Sequence, residues 1–130
     1  MPKQIINPSN MAKPSGYSYA VKKRGTPVFI SGQVGIDAEG RVVGEGDAAA
    51  QTAQAFDNLR TVVEASGGSM DDIVKITIFV TDPSFRGAVV AARQRYFKDG
   101  EYPASTYLVV SGLAVPQLLV EVEAVAMLDG

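Results

Sequence analysis

The hydrophobic pattern of the chain switches between two periods. Over 118–127, LLVEVEAVAM alternates: Leu118, Val120, Val122, Ala124 and Ala126 fall on one face, and Leu119, Glu121, Glu123, Val125 and Met127 on the other, as strand side chains must. Residues 105–110 form a second β-branched and aromatic run, joined to the first by a Gly/Pro-broken connection. The strongest predicted strand is 73–81, IVKITIFVT. Val74, Ile76, Ile78 and Val80 make its apolar face, and Ile73, Lys75, Thr77, Phe79 and Thr81 a mixed one. Residues 17–23 alternate as well, and Arg24-Gly25 turns the chain into a further strand at 27–32, so these two are expected to form a hairpin. Glu39-Gly40 marks another turn, ahead of a short strand within 36–43.

Helical spacing takes over twice. Asp47 is placed to cap a helix whose stripe is Ala49, Ala53, Phe56, Leu59 and Val63, and Ser66-Gly67-Gly68 closes it. After a one-turn capping box at Ser69-Met70-Asp71-Asp72, Asp82-Pro83 opens a second helix. Its stripe is Phe85, Val89, Ala92 and Tyr96, and Arg86, Arg93 and Arg95 decorate its other faces. Residues 1–16, with Pro2, Pro8 and Pro14, read as an extended arm. The resulting order predicts a single α+β domain over 1–130, with two helices on one face of a mixed sheet. Its other face would carry Lys75, Thr77, Phe79, Leu119, Glu121, Glu123 and Val125. That surface is too apolar to stand in water and too polar for a dry core. It predicts association between copies of the chain, with wet clefts between them.

Composition narrows the chemistry. The net charge of −2 comes from 12 basic and 14 acidic side chains mixed along the chain, so there is no basic stripe for nucleic acid, and none is expected as a partner. Cysteine and histidine are both absent. Disulfides, thiolate nucleophiles, the commonest metal ligand and the commonest neutral-pH base go with them. Catalysis is left to carboxylate, hydroxyl, Lys, Arg, backbone and water, and no metal or cofactor is expected. The N-terminus lacks the apolar run of a signal peptide and no window reaches ~18 apolar residues, so a cytoplasmic protein without a membrane partner is expected.

Two features carry candidate chemistry. A carboxylate on a partly apolar sheet face needs water or a partner, because burying it unpaired costs several kcal/mol. Glu121 therefore either lines a wet cleft or pairs with Lys75 or an arginine across an interface. Ser31-Gly32, at a strand end, either presents a hydroxyl and approachable backbone to a ligand or simply ends the strand.

Tyr17, ISGQ at 30–33, DNLRTVVEASGGSMDDIVKITIFVTD at 57–82, and YPAST with VEVEAVA at 102–126 together resemble the reactive intermediate deaminase family, also called the YjgF or endoribonuclease L-PSP family. The resemblance spans essentially the whole chain. It implies a chorismate-mutase-like α+β fold and a homotrimer with ligand clefts at the subunit interfaces. It also implies hydrolysis of imines and enamines, small metabolites, to ketoacids and ammonia. By the same resemblance Tyr17 is the cleft tyrosine, Ser31 and Gly32 face the ligand, and Glu121 positions or activates the hydrolytic water. In the best-understood branch an arginine stands where this chain has Ser105 and clamps the substrate carboxylate with a planar fork of donors, which serine cannot copy. Val90 stands where that branch tends to carry asparagine. The substrate class is thus expected to be shifted. Ser105 and Thr106 would offer hydroxyls, and Arg93 is eligible to hold a carboxylate by helix geometry alone. The alternatives are a non-catalytic metabolite-binding or protein-interaction trimer and, more weakly, an endoribonuclease or translation inhibitor.

Overall fold

The computed structural model describes residues 2–130. In chain order its elements are β1 (Gln4–Ile6), β2 (Ala20–Lys22), β3 (Thr26–Val34), α1 (Ala48–Ala65), β4 (Ile73–Val80), α2 (Arg86–Gln94), β5 (Ala104–Val109) and β6 (Val120–Leu128). Single 3-10 turns precede β4 and α2, at Met70–Asp72 and Pro83–Phe85. The main sheet has the order β3-β6-β4-β5. Its β3/β6 and β6/β4 pairs are antiparallel, while β4 and β5, joined through α2, are parallel. This is the expected α+β arrangement with a mixed sheet. Among the described residues no helix is long and apolar enough to cross a membrane.

The core lies between the sheet and the two helices. Ile76, Ile78, Val80, Val120, Val122, Ala124 and Ala126 meet Phe56, Leu59, Val63 and Val89, all buried. The alternation read for 118–127 survives intact, with Leu118 buried as well. At the other end of the sheet Pro27, which has no N–H to give, sits on the edge strand β3, where it costs no ladder bond.

The short strand expected within 36–43 is only an isolated Ile36–Val42 bridge, and three larger expectations are corrected. The hairpin does not form: β2 pairs antiparallel with β1 in a separate two-stranded sheet, and β3 pairs with β6. Lys23 explains the switch. Its ammonium donates to the Asp72 carboxylate at 2.8 Å and to the Met127 carbonyl, which pins residue 23 at the end of β6 and aims the following strand along it. Second, Ile73 is fully buried and Val74 only half-buried. A register irregularity between Ile73 and Lys75, opposite Ala126 and Val125, breaks the strict alternation, as strand bulges do.

The third correction concerns α1, capped as expected by Asp47, whose carboxylate accepts from the Ala50 N–H at 3.1 Å. Its buried stripe begins Ala48, Gln51, Thr52, Ala55 rather than Ala49, Ala53. The polar members are satisfied. Gln51 donates to the carbonyls of Gly44 (3.2 Å) and Gln117 (3.0 Å) and accepts from the Leu119 N–H (2.8 Å), while Thr52 donates to the Ala48 carbonyl at 2.7 Å. Paired in this way the amide leaves no orphaned polar group in the core, and Gln51 ties the start of α1 to the approach to β6.

Candidate functional site

Residues 15–18 lie along the start of β5. Ser18 donates its N–H to the Pro103 carbonyl at 3.1 Å and its hydroxyl to the Tyr102 carbonyl at 2.5 Å, and it bridges to Ala104. This brings Tyr17 beside the strand that carries Ser105. The β4/β5 register then sorts β5 by face. Ser105 and Tyr107 lie opposite Ile76 and Ile78, on the helix side, whereas Thr106 lies opposite Thr77 on the open side.

Between β5, α2 and the 15–18 segment is a cavity of about 720 Å³. Ser15 and Tyr17 line it from the arm, Ser105 and Tyr107 from β5, and Arg86, Gly87, Val90, Ala91, Arg93 and Gln94 from α2. Arg93 is only 5% exposed. Burial first, and the neighbouring Arg86 second, push its pKa below the usual guanidinium value. Arg86 lies over the Tyr107 ring at 5.9 Å. Gly16, at φ +76°, leaves room for this arrangement: a Cβ there would lie 2.7 Å from an Arg93 terminal nitrogen. Among the described residues three buried side-chain polar atoms have no hydrogen-bond partner: Arg93 Nε, Ser105 Oγ and Tyr107 Oη. All three belong to residues lining this one cavity.

The open face holds a different group. The ladder between β3 and β6 skips between Ile30 and Gln33, which leaves Ser31 and Gly32 out of register. Into that gap comes Glu121, paired in register with Phe79 and Val34. A Cβ on Gly32 would lie 1.9 Å from Glu121 Oε2, so only glycine leaves the carboxylate where it is. Half-buried Glu121 has no hydrogen-bond or ion-pair partner among the described residues. Lys75 does not reach it. The Lys75 ammonium donates to the Thr106 hydroxyl at 2.6 Å, and burial lowers its pKa against the opposing pull of Glu123.

Within one chain the candidate residues therefore form two sets. Tyr17, Ser105 and Arg93 share the helix-side cavity, while Ser31, Gly32 and Glu121 share the open face with Thr106 further along it. Sequence reasoning named Arg86 only as one of three arginines on the outer faces of the second helix, and it passed over Tyr107. Periodicity holds the signal for both: Tyr107 is two strand positions from Ser105, and Arg86, Val90 and Arg93 are spaced four and three on one helix face. Among the described residues, no group of three or more acidic side chains is placed to hold a metal ion.

The sequence matches the profile of the endoribonuclease L-PSP family over residues 8–128. The chain belongs to that family. A RutC family protein of Pyrococcus horikoshii is 34% identical over 125 residues, covering 95% of this chain and 97% of the relative. Among solved structures, the conserved Rid family protein YyfB of Yersinia pestis superposes with a TM-score of 0.91 at 35% identity, over 98% of this chain and all (100%) of the other. RidA of an Antarctic Psychrobacter gives 0.73 at 32% identity, over 95% and 98%. These likenesses place the L-PSP fold along the full chain and match the family resemblance read from the sequence.

Proposed function

We propose that the protein hydrolyses the imine or enamine nitrogen of a small metabolite, releasing ammonia and a carbonyl product, in clefts built between copies of the chain in a homotrimer. The observation that carries this reading is the unpartnered Glu121 carboxylate held against Gly32. With histidine and cysteine absent, a carboxylate must serve as the base toward water, and of the two on the open face Glu121 is half-buried while Glu123 is exposed. In the proposed step Glu121 accepts a proton as the water oxygen bonds to the imine carbon. That proton passes to the nitrogen to give a carbinolamine; Glu121 then takes the hydroxyl proton and delivers it to the same nitrogen as the C–N bond breaks, so that the carbonyl forms and ammonia leaves. A positioned proton acceptor of this kind supplies about 10²–10⁴-fold.

The two sets of candidate residues lie on opposite faces of one sheet. They meet when the edge of one protomer, with its helix-side cavity, is set against the open face of the next. Exposed apolar side chains on the sheet, Phe29 at 78% and Leu108 at 42%, supply surface for that association.

Ammonia release from freshly generated 2-iminopropionate and from imines bearing other acid groups, together with the mass by light scattering at micromolar concentration, tests the reading. Expected are a trimeric mass and turnover that Glu121→Gln lowers by about 100-fold or more. A monomeric mass, or equal rates for the native and Glu121→Gln proteins, rejects it.

A further inference from the structure

We propose that the helix-side cavity binds a compact dianionic group, a phosphate or a pair of carboxylates, between Arg93 and Arg86, so that the anion anchor of this chain sits on α2 rather than on β5. Assigning that group to the substrate rests on the hydrolytic reading above; the binding itself does not.

The cavity holds unmet hydrogen-bonding groups. Arg93 Nε, Ser105 Oγ and Tyr107 Oη are buried donors without acceptors. Native structures rarely leave such groups orphaned. All three belong to the lining of one cavity, and what they lack in common is an acceptor. An oxyanion with several oxygens fits that need, and a neutral carbonyl with a single oxygen does not.

The cavity is also positively charged. Two guanidiniums line the cavity and no carboxylate does. Arg41 and Arg60 have ion pairs with Asp37 and Asp57, but Arg86 and Arg93 have none among the described residues. Arg93 cannot shed its proton, and a nearly buried cation calls for a counter-charge. Arg86 is close enough that its charge bears on Arg93, so among the groups of one chain one negative charge leaves the pair net positive and two neutralise it. Guanidinium forks also match carboxylate and phosphate oxygens in pairs.

Shape sets the rest of the ligand. Val90, Ala91 and the Tyr17 ring line a space of about 720 Å³, enough for the carbon skeleton of a small metabolite beside its acid group. The layout also accounts for serine at 105. An arginine there would bring a third guanidinium against Arg93 in the same space.

The test titrates the full chain, at matched ionic strength and about pH 8, where phosphate is doubly charged, with inorganic phosphate, malonate and acetate. The readouts are the Arg93 Nε–H resonance and intrinsic tyrosine fluorescence. Phosphate or malonate is expected to bind about tenfold or more tightly than acetate and to shift the Arg93 resonance, and the tighter of the two identifies the source as phosphate ester or dicarboxylate. Arg86→Ala, at an exposed residue, should bring the dianion down to the level of acetate. Arg93→Met should abolish binding, and Ser105→Arg should restore it in the Arg93→Met background. Equal affinity for acetate and the dianions, dianion binding indifferent to Arg86→Ala, or an unmoved Arg93 resonance at saturation overturns the proposal. If Arg93→Met does not fold, Arg86→Ala and the resonance decide alone. Binding without imine turnover would leave this anchor in place and remove the hydrolytic reading, while turnover without dianion binding would do the reverse.

Discussion

Gly32 is held to its identity by a neighbour on another strand. The Glu121 carboxylate occupies the place where a side chain at 32 would begin, so a single methyl group must turn the carboxylate away. Gly32→Ala is therefore expected to lower imine turnover on the scale of Glu121→Gln, while unfolding free energy changes by about 1 kcal/mol or less, as for most substitutions outside the core. Parallel rate and urea-unfolding measurements check this, and native-like turnover would show that the carboxylate does not need its place. Ser105 and Thr106 give the same lesson from β5. They are neighbours in sequence, yet one hydroxyl lies buried in the cavity and the other accepts from Lys75 on the open face. Strand alternation dictates that divergence, whereas the sequence reading had offered both hydroxyls to one pocket. The burial of Arg93 was less legible. It lies one turn after Val89, on the same side of α2, but a charged residue beside an apolar stripe is usually solvated, and it takes neighbours distant in sequence, Gly16, Tyr17 and Tyr107, to close this one in.

Among the elements, period alone recovered β4, β6 and both helices, because each buries one face against a single partner layer. What failed depended on partners distant in sequence. Strand β2 has a strand's alternation, yet nothing in it specifies β1 over β3. That choice is made by Lys23 reaching Asp72 and Met127 across the end of β6. The start of α1 shifted because Gln51 finds three backbone partners that no count of apolar residues anticipates. The Lys23–Asp72 link has a measurable sign. Burial raises the Asp72 pKa, but the Lys23 ammonium and the Ser69 N–H outweigh it and hold the carboxyl below its ordinary value. A depressed folded pKa adds stability that is complete above the unfolded value of about 4 and is lost as pH falls through the folded one. Asp72→Asn is expected to cost about 2 kcal/mol near neutrality, with the gap to the native protein closing below about pH 4. Urea unfolding across pH measures it, and a gap constant into acid would mean that the pair does not stabilise the fold.

At the scale of the molecule, the sheet works as a partition. Its helix side carries the two arginines and the unpaired hydroxyls, its open side the Glu121 carboxylate, and the chain cannot fold these onto one another. Anchor and base, if they serve one reaction, must then be donated by different copies. Two inactive chains should in that case repair each other. When Glu121→Gln and Arg93→Met proteins are unfolded together in equal amounts and refolded, random assembly gives each cleft about a one-in-four chance of drawing its intact carboxylate from one chain and its intact arginine from another. About a quarter of native turnover should return to a mixture of two dead proteins. No recovery would mean that each chain keeps its chemistry to itself. The partition would thus make activity a property of the assembly, inherited by no single chain.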